Sequence, residues 1–310
     1  MLGYSRAQEY EADDLGVSYL AKGGYDPNAA STMLAALAAQ TALDARVQGR
    51  GDNKLPAWAS THPDPASRVV RAAQKAAASQ PVGKALNADG FINQLDNMMY
   101  DDDPKQGVVE GQDFIHPDMR LKFTAPAGFA VSNGTDAVTV SGTTGQASFS
   151  AGPYSGDMDA YIAGVYKALA GDSATINYGS VAKSTINGIP VGRATTTANS
   201  QSGQVNVTVT VYEFAKDKAY HILAISPVGS GDVFASLFNS VRRISDAEAA
   251  AVRPRKLDIV AVKKGDTVAT LSARMAYTSF QTERFLTLNA LKAGDALPVG
   301  RKVKLVVYGN

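Results

Sequence analysis

The amino-acid sequence predicts a multidomain α+β protein, helical at its start and dominated by antiparallel sheet further along. Three observations carry that prediction. Residues 1 to about 103 are rich in Ala, with apolar residues three and four apart. From about Val108 to Ser245 the texture turns to alternating β-branched runs separated by Gly, Asn and Pro. Behind the charged, Ala-rich stretch SDAEAAAVRPRK, the remainder reads strand, two short helices, strand. The implied boundaries are 1–103, 104–246, a linker at 247–256, and 257–310. A chain of 310 residues with 45% hydrophobic content is long enough for two or three cores.

Taken in order, Ser5 and Gln8 fit a capping box opening a helix that runs to about Lys22, where Gly23 and Gly24 stop it. Asp26 and Pro27 supply an N-cap and first-turn proline for a second helix through about Leu43, with Ala30, Met33, Leu34, Leu37 and Ala38 spaced as a buried stripe. After the polar loop VQGRGDNKLPAWASTHP, Asp64 and Pro65 start a helix over SRVVRAAQKAAA, and Phe91 to Tyr100 reads as a last helical piece. In the middle region MRLKFTAP, DAVTVSG, ASFSAG, QVNVTVTVYEF and AYHILAISP are strands, interrupted by helices at Met158 to Ala170 and Gly231 to Ile244.

Composition removes several functions. The balance of 30 basic against 29 acidic residues gives no general electrostatic reason to bind nucleic acid or an anionic membrane. With no cysteine, disulfides, thiolate metal sites and cysteine nucleophiles are excluded. No run approaches the roughly 18 apolar residues of a membrane span, and MLGYSRAQEYEADD lacks the order of a signal peptide. The middle region holds no GxSxG elbow, phosphate-binding glycine loop or basic-aromatic RNA platform.

The acidic segment SRAQEYEADDLGVSYLAKGGYDP poses a problem, because Glu9 and Asp13 are four apart on one helix face and like charges there cost about 0.2–0.5 kcal/mol. Acids near a helix N-terminus gain about 0.3–1 kcal/mol each from the dipole, which is the plainer explanation; metal ligation is the sharper one. The segment resembles the pattern SRxxExxADxxGxxxLxxAGYDPxA of zinc metallopeptidases of the HtpX and CAAX-prenyl-protease type, with Gly23 in place of the alanine. THPDPASR, Thr61 to Arg68, is similar to the same family's THPxxxxR element. The resemblance implies the helical part of a zincin peptidase domain, with Glu9 as third zinc ligand and Asp13 as the partner that supports it. It also implies a HExxH helix earlier in the chain. The only histidines are His62, His116 and His221, no two of them four apart, so the resemblance implies a C-terminal fragment that neither binds zinc tightly nor hydrolyses peptides alone. His62 reads as a loop histidine, or as a residue lying over the metal cleft. His116 and His221 read as sheet and loop histidines, and Tyr161, Tyr166, Phe234, Leu237 and Phe238 as core.

Two further resemblances complete the reading. QGVVEGQDFIHPDMRLKFTAPAGFAVSNG is similar to the segment leading into a small PsbP-like α/β domain in envelope members of the family, which implies an interaction or regulatory role. The tail resembles a LysM module, with Gly265, Asp266 and Thr267 at the strand-to-helix turn and Leu288, Asn289 and Leu291 at the end of the second helix. Pro298 and Gly300 stand near the family's PG position, separated by Val299. That resemblance implies peptidoglycan binding through Gly265, Asp266, Thr267 and Asn289, although Asp and Thr after Gly also serve as ordinary turn and cap residues. The two function classes that follow are the C-terminal portion of a zinc metalloendopeptidase of the bacterial cell envelope or periplasm, acting on unfolded or misassembled envelope proteins, and a non-catalytic envelope protein that binds peptidoglycan.

Overall fold

In the computed structural model, residues 6–48, 65–79, 88–171, 176–200 and 203–309 are described. The chain divides into two compact units, one combining Met1–Asp101 with Pro254–Asn310 and the other formed by Asp102–Arg253.

The first unit begins with helices α1 (Arg6–Lys22), α2 (Asn28–Val47), α3 (Pro65–Ala78) and α4 (Ala88–Gln94), followed by the short strand β1 (Met99–Tyr100). Gly24 leaves α1 with φ of 79°, and Asp26 Oδ1 accepts the Asn28 backbone N–H at 2.9 Å; the N-cap position falls on Pro27, one residue later than expected, and Pro27 makes no side-chain cap bond. The seam between helices is lined by small residues: Val17, Ala72 and Ala76 are buried, with Ala30 and Leu34 packed against them. Met33 and Leu37, expected in that buried stripe, are instead 64% and 52% exposed. The stripe is wider than one partner helix covers, and only its Ala30–Leu34 edge faces the seam. Ser5 and Asp64, expected as cap residues, lie outside the described residues.

The second unit contains β2 (Val108–Glu110), β3 (Asp113–His116), β4 (Leu121–Thr124), β5 (Ala130–Asn133), β6 (Val138–Gly142), β7 (Gly145–Ala151), helix α5 (Met158–Ala170), then β8 (Ala182–Ile186), β9 (Ile189–Ser200), β10 (Gly203–Ala215) and β11 (Lys218–Pro227). It closes with α6 (Ala235–Ser240), β12 (Arg242–Arg243) and α7 (Asp246–Ala251). A seven-stranded antiparallel sheet has the order β5-β6-β7-β11-β10-β9-β8, and a smaller one the order β12-β4-β3-β2. The large sheet is two meanders: the chain leaves β7 through α5 to the far edge at β8 and returns strand by strand until β11 pairs with β7.

Alternation along β10 decides both faces of that sheet. Val207, Val209 and Val211 face Tyr161, Ile162 and Tyr166 of α5, while Tyr212 and Phe214 belong to the opposite core with Leu237 and Phe238. That second core carries a run of aromatic rings, Phe114 to Phe123 at 5.1 Å, Phe123 to Phe149 at 5.2 Å and Phe149 to Tyr220 at 5.5 Å between centroids. The helix expected over Gly231 to Ile244 is confined to α6, because Arg242 and Arg243 pair with Lys122 and Leu121 as an edge strand. The stretch expected as a linker is partly helical: Ser245 and Glu248 form a reciprocal capping box that opens α7.

The chain then rejoins the first unit through β13 (Arg255–Ala261), α8 (Val268–Ser272), α9 (Gln281–Leu288) and β14 (Lys302–Tyr308). β13 pairs with β14 on one side and with β1 on the other, so Met99 and Tyr100 are a strand rather than the end of a helix. The core of this part is Leu257, Val262, Leu271, Met275, Phe285, Leu291, Val303, Leu305 and Val306, with Leu95 and Tyr100 packed against it. Contact extends to α2, where Arg46 lies 3.7 Å from Glu283.

Candidate functional site

Helices α1 and α3 face each other through complementary charges. α3 presents Arg68, Arg71 and Lys75 at spacings of three and four, and α1 presents Glu9, Asp13 and Asp14. Small residues in the apolar seam let the backbones approach, and the short aspartates can then reach across. Arg68 donates from Nε to Asp13 Oδ2 and from Nη2 to Asp13 Oδ1, both at 2.8 Å. Its Nη1 lies 3.2 Å from Glu9 Oε2. The three side chains are 19%, 11% and 16% exposed for Arg68, Asp13 and Glu9. One turn on, Arg71 repeats the fork on Asp14 at 3.2 and 2.7 Å, with its guanidinium 5.1 Å above the Tyr10 ring, and Tyr10 Oη meets Ser67 Oγ at 3.1 Å.

The arrangement answers the electrostatic problem of the acidic segment. Glu9 and Asp13, which would repel as neighbours on one face, share a single guanidinium. Hydrogen bonding to Asp13 is the main cause that raises Arg68 above its ordinary value. The hydrogen bond from Arg71 is likewise the main cause that holds the Asp14 carboxyl below its ordinary value. Arg68 is the last residue of THPDPASR, so the two sequence motifs singled out separately are brought into contact. Sequence reasoning assigned Arg68 no role. The signal was available in the basic residues of α3, whose period matches the acids of α1.

These residues do not by themselves fit a zinc ion. A catalytic zinc takes three protein ligands and a water, and among the described residues no group of three His, Cys, Asp or Glu is placed to hold a metal. Both Asp13 oxygens accept from Arg68, and Glu9 shares that cation. His62 lies outside the described residues. His116 sits at the end of β3, its Nδ1 accepting the Met119 N–H at 3.3 Å.

In the tail, each residue expected to contact glycan has a place in the local framework. Gly265 has φ of 92° in the turn after β13. Asp266 Oδ2 accepts the Lys263 N–H at 2.7 Å, and Thr267 caps α8 in a reciprocal box with Thr270. Asn289 ties the end of α9 to β14: its Nδ2 donates to Phe285 O and Lys304 O, both at 2.9 Å, and its Oδ1 accepts the Lys304 N–H at 2.7 Å.

His221 was read as a plain sheet histidine. The structure places it on β11 between two hydroxyls, with Nε2 at 3.1 Å from Ser150 Oγ and Nδ1 at 3.0 Å from Tyr161 Oη, and burial lowers its pKa to about 4. Nothing in the local sequence marks this group, since His221 lies 71 and 60 residues from Ser150 and Tyr161, on a different element from either.

Residues 1–76 of the 310 match the family model of Peptidase family M48. No curated protein matches the chain. Among solved structures the chain is similar to a protein from Bacteroides thetaiotaomicron VPI-5482, at 13% identity and a TM-score of 0.35, over 64% of this chain and 87% of that one. It is also similar to LpqN of Mycobacterium tuberculosis, a protein involved in cell envelope biogenesis, at 6% identity and a TM-score of 0.29, over 40% of this chain and 83% of that one. Among the described residues no helix is long and apolar enough to cross a membrane.

Proposed function

We propose that the segment carrying α1 to α3 is the acid-bearing part of a zinc metalloendopeptidase site of the M48 type, in a protein of the bacterial cell envelope that acts on unfolded or misassembled envelope proteins. In this reading Glu9 is the metal ligand and Asp13 its support, and the histidine pair required by the chemistry is supplied from outside these 310 residues, because the sequence has no two histidines four apart. The observation that carries the reading is the contact between its two motifs: Arg68 of THPDPASR holds Glu9 and Asp13 together, within a segment that matches the M48 family model. Alone, the chain neither binds zinc tightly nor cleaves peptides.

Calorimetric titration of the chain with zinc tests the first half of that statement, and a stoichiometric submicromolar site would refute it. Incubation of the chain alone with casein tests the second half, and chelator-sensitive cleavage would refute it; to test the ligand assignment, the chain is joined to an M48 segment bearing HExxH and assayed on casein. Glu9→Ala should abolish cleavage, whereas Glu11→Ala, about 200° around the helix from Glu9 at 3.6 residues per turn, should retain it. Equal loss in both would remove the ligand assignment.

A second reading, a non-catalytic envelope protein that binds peptidoglycan through a LysM-like tail, is favoured by the strand-helix-helix-strand order of β13, α8, α9 and β14. Sedimentation of the full chain with purified peptidoglycan is the expected result, and a chain that stays in the supernatant would rule this reading out.

A further inference from the structure

The longest helix of the second unit does not cover the whole face it lies on. α5 packs over β9 and β10, burying Tyr161, Ile162 and Tyr166 against Ala194, Val207, Val209 and Val211. The same face of β7 and β11 remains open beside it. A cavity of about 590 Å³ occupies that space, walled by Val165 and Leu169 of α5, Leu223 of β11 and Pro153, with Ser150, Tyr161 and His221 at its polar side. Its size falls within the roughly 300–1,000 Å³ typical of small-molecule sites.

The polar side is a hydrogen-bonded row, with His221 Nδ1 3.0 Å from Tyr161 Oη and Nε2 3.1 Å from Ser150 Oγ. In the ring tautomer protonated on Nε2, Tyr161 donates to Nδ1, the ring donates to Ser150, and the Ser150 proton is left to donate into the cavity.

Charge narrows the occupant. Among the described lining residues the charged group is Asp157, and its Oδ1 already accepts the Asp159 and Ala160 N–H groups at the start of α5. Among the described lining residues there is no lysine or arginine to neutralise an anion. We propose that this cavity binds an uncharged amphiphile, an apolar body carrying one hydrogen-bond-accepting head such as a carbonyl or hydroxyl, with Ser150 donating to the head and His221 and Tyr161 holding Ser150 in that orientation. The proposal is independent of the metallopeptidase reading, since none of its residues lies in the M48-matching segment.

The test uses the full chain and the uncharged solvatochromic ketone prodan. Saturable binding with a blue-shifted emission is expected, displaced by 1-dodecanol and at least tenfold more weakly by dodecanoate. Ser150→Ala should weaken prodan about tenfold, the value of one good hydrogen bond. A Cβ at Gly164 meets only open space, so Gly164→Leu should fold, as a thermal melt will show, and fill the cavity; Ala168→Leu on the same helix should do likewise. Absence of saturable binding, wild-type affinity in both filled variants, unchanged affinity in Ser150→Ala, or dodecanoate equal to dodecanol would each overturn the assignment.

Discussion

Acidification should weaken the second unit through His221, and the size of the effect follows from its surroundings. Burial lowers the histidine to about 4 in the folded chain, against about 6.5 in the unfolded one. The unfolded state therefore takes up the proton first as pH falls. The contribution is fully present above pH about 6.5, declines between about 6.5 and 4, and is constant below. Over the whole window it amounts to about 3 kcal/mol, and at pH 5 the loss is already about 2 kcal/mol. Both groups facing the ring, Ser150 and Tyr161, are neutral there, so neither offsets the incoming charge. Proton NMR of the imidazole resonances, assigned by single His→Gln variants, should give a His221 midpoint near 4. Urea unfolding followed by tyrosine near-ultraviolet dichroism should lose stability over the same window in the wild type and lose less in His221→Gln. A midpoint between 6 and 7, or an identical acid loss in the variant, would refute the reasoning.

Arg68→Ala should destabilise the helical segment by about 2 kcal/mol, because it takes the shared guanidinium away from two partly buried carboxylates on one face, and amide exchange in α1 should accelerate while that in β10 does not. Arg68→Lys should restore only part of the loss, since an ammonium cannot fork onto Asp13 and reach Glu9 together. Asn289→Ala removes two bonds to β14 and one to Phe285 O within α9, and should lower tail stability by about 2–3 kcal/mol in denaturant unfolding. Gly107→Ala should be costlier than a surface change: the residue has φ of 87°, and a Cβ would lie 2.5 Å from the Phe114 ring, so a clear drop in Tm is expected.

The fold was legible wherever one period ruled a segment. Helix α5 was read at its observed limits because its apolar residues recur at helical spacing, and β10 because VNVTVTV alternates over seven residues. Errors fell where a short element takes its state from a distant partner. Met99 and Tyr100 read as helical until β13 pairs with them, and Arg242 and Arg243 until β4 does. Met33 and Leu37 have the spacing of a buried stripe, but spacing fixes a face and not what covers it. For the candidate site, Glu9 and Asp13 were singled out by resemblance, whereas their contact with Arg68 needed the approach of a second helix, Arg68 lying 55 residues from Asp13. His221 was missed for the same reason in stronger form, since its partners are on a different strand and a helix.

The pairing of Tyr100 with Arg255 has a consequence for how such a chain can be cut and rejoined. The excursion through residues 102–253 starts and finishes on adjacent antiparallel strands, so a tight hairpin turn such as Asn-Gly could take its place without altering the register of β1 on β13. The first unit then becomes one contiguous polypeptide, and residues 102–253 become a cassette that can be excised, exchanged or expressed by itself.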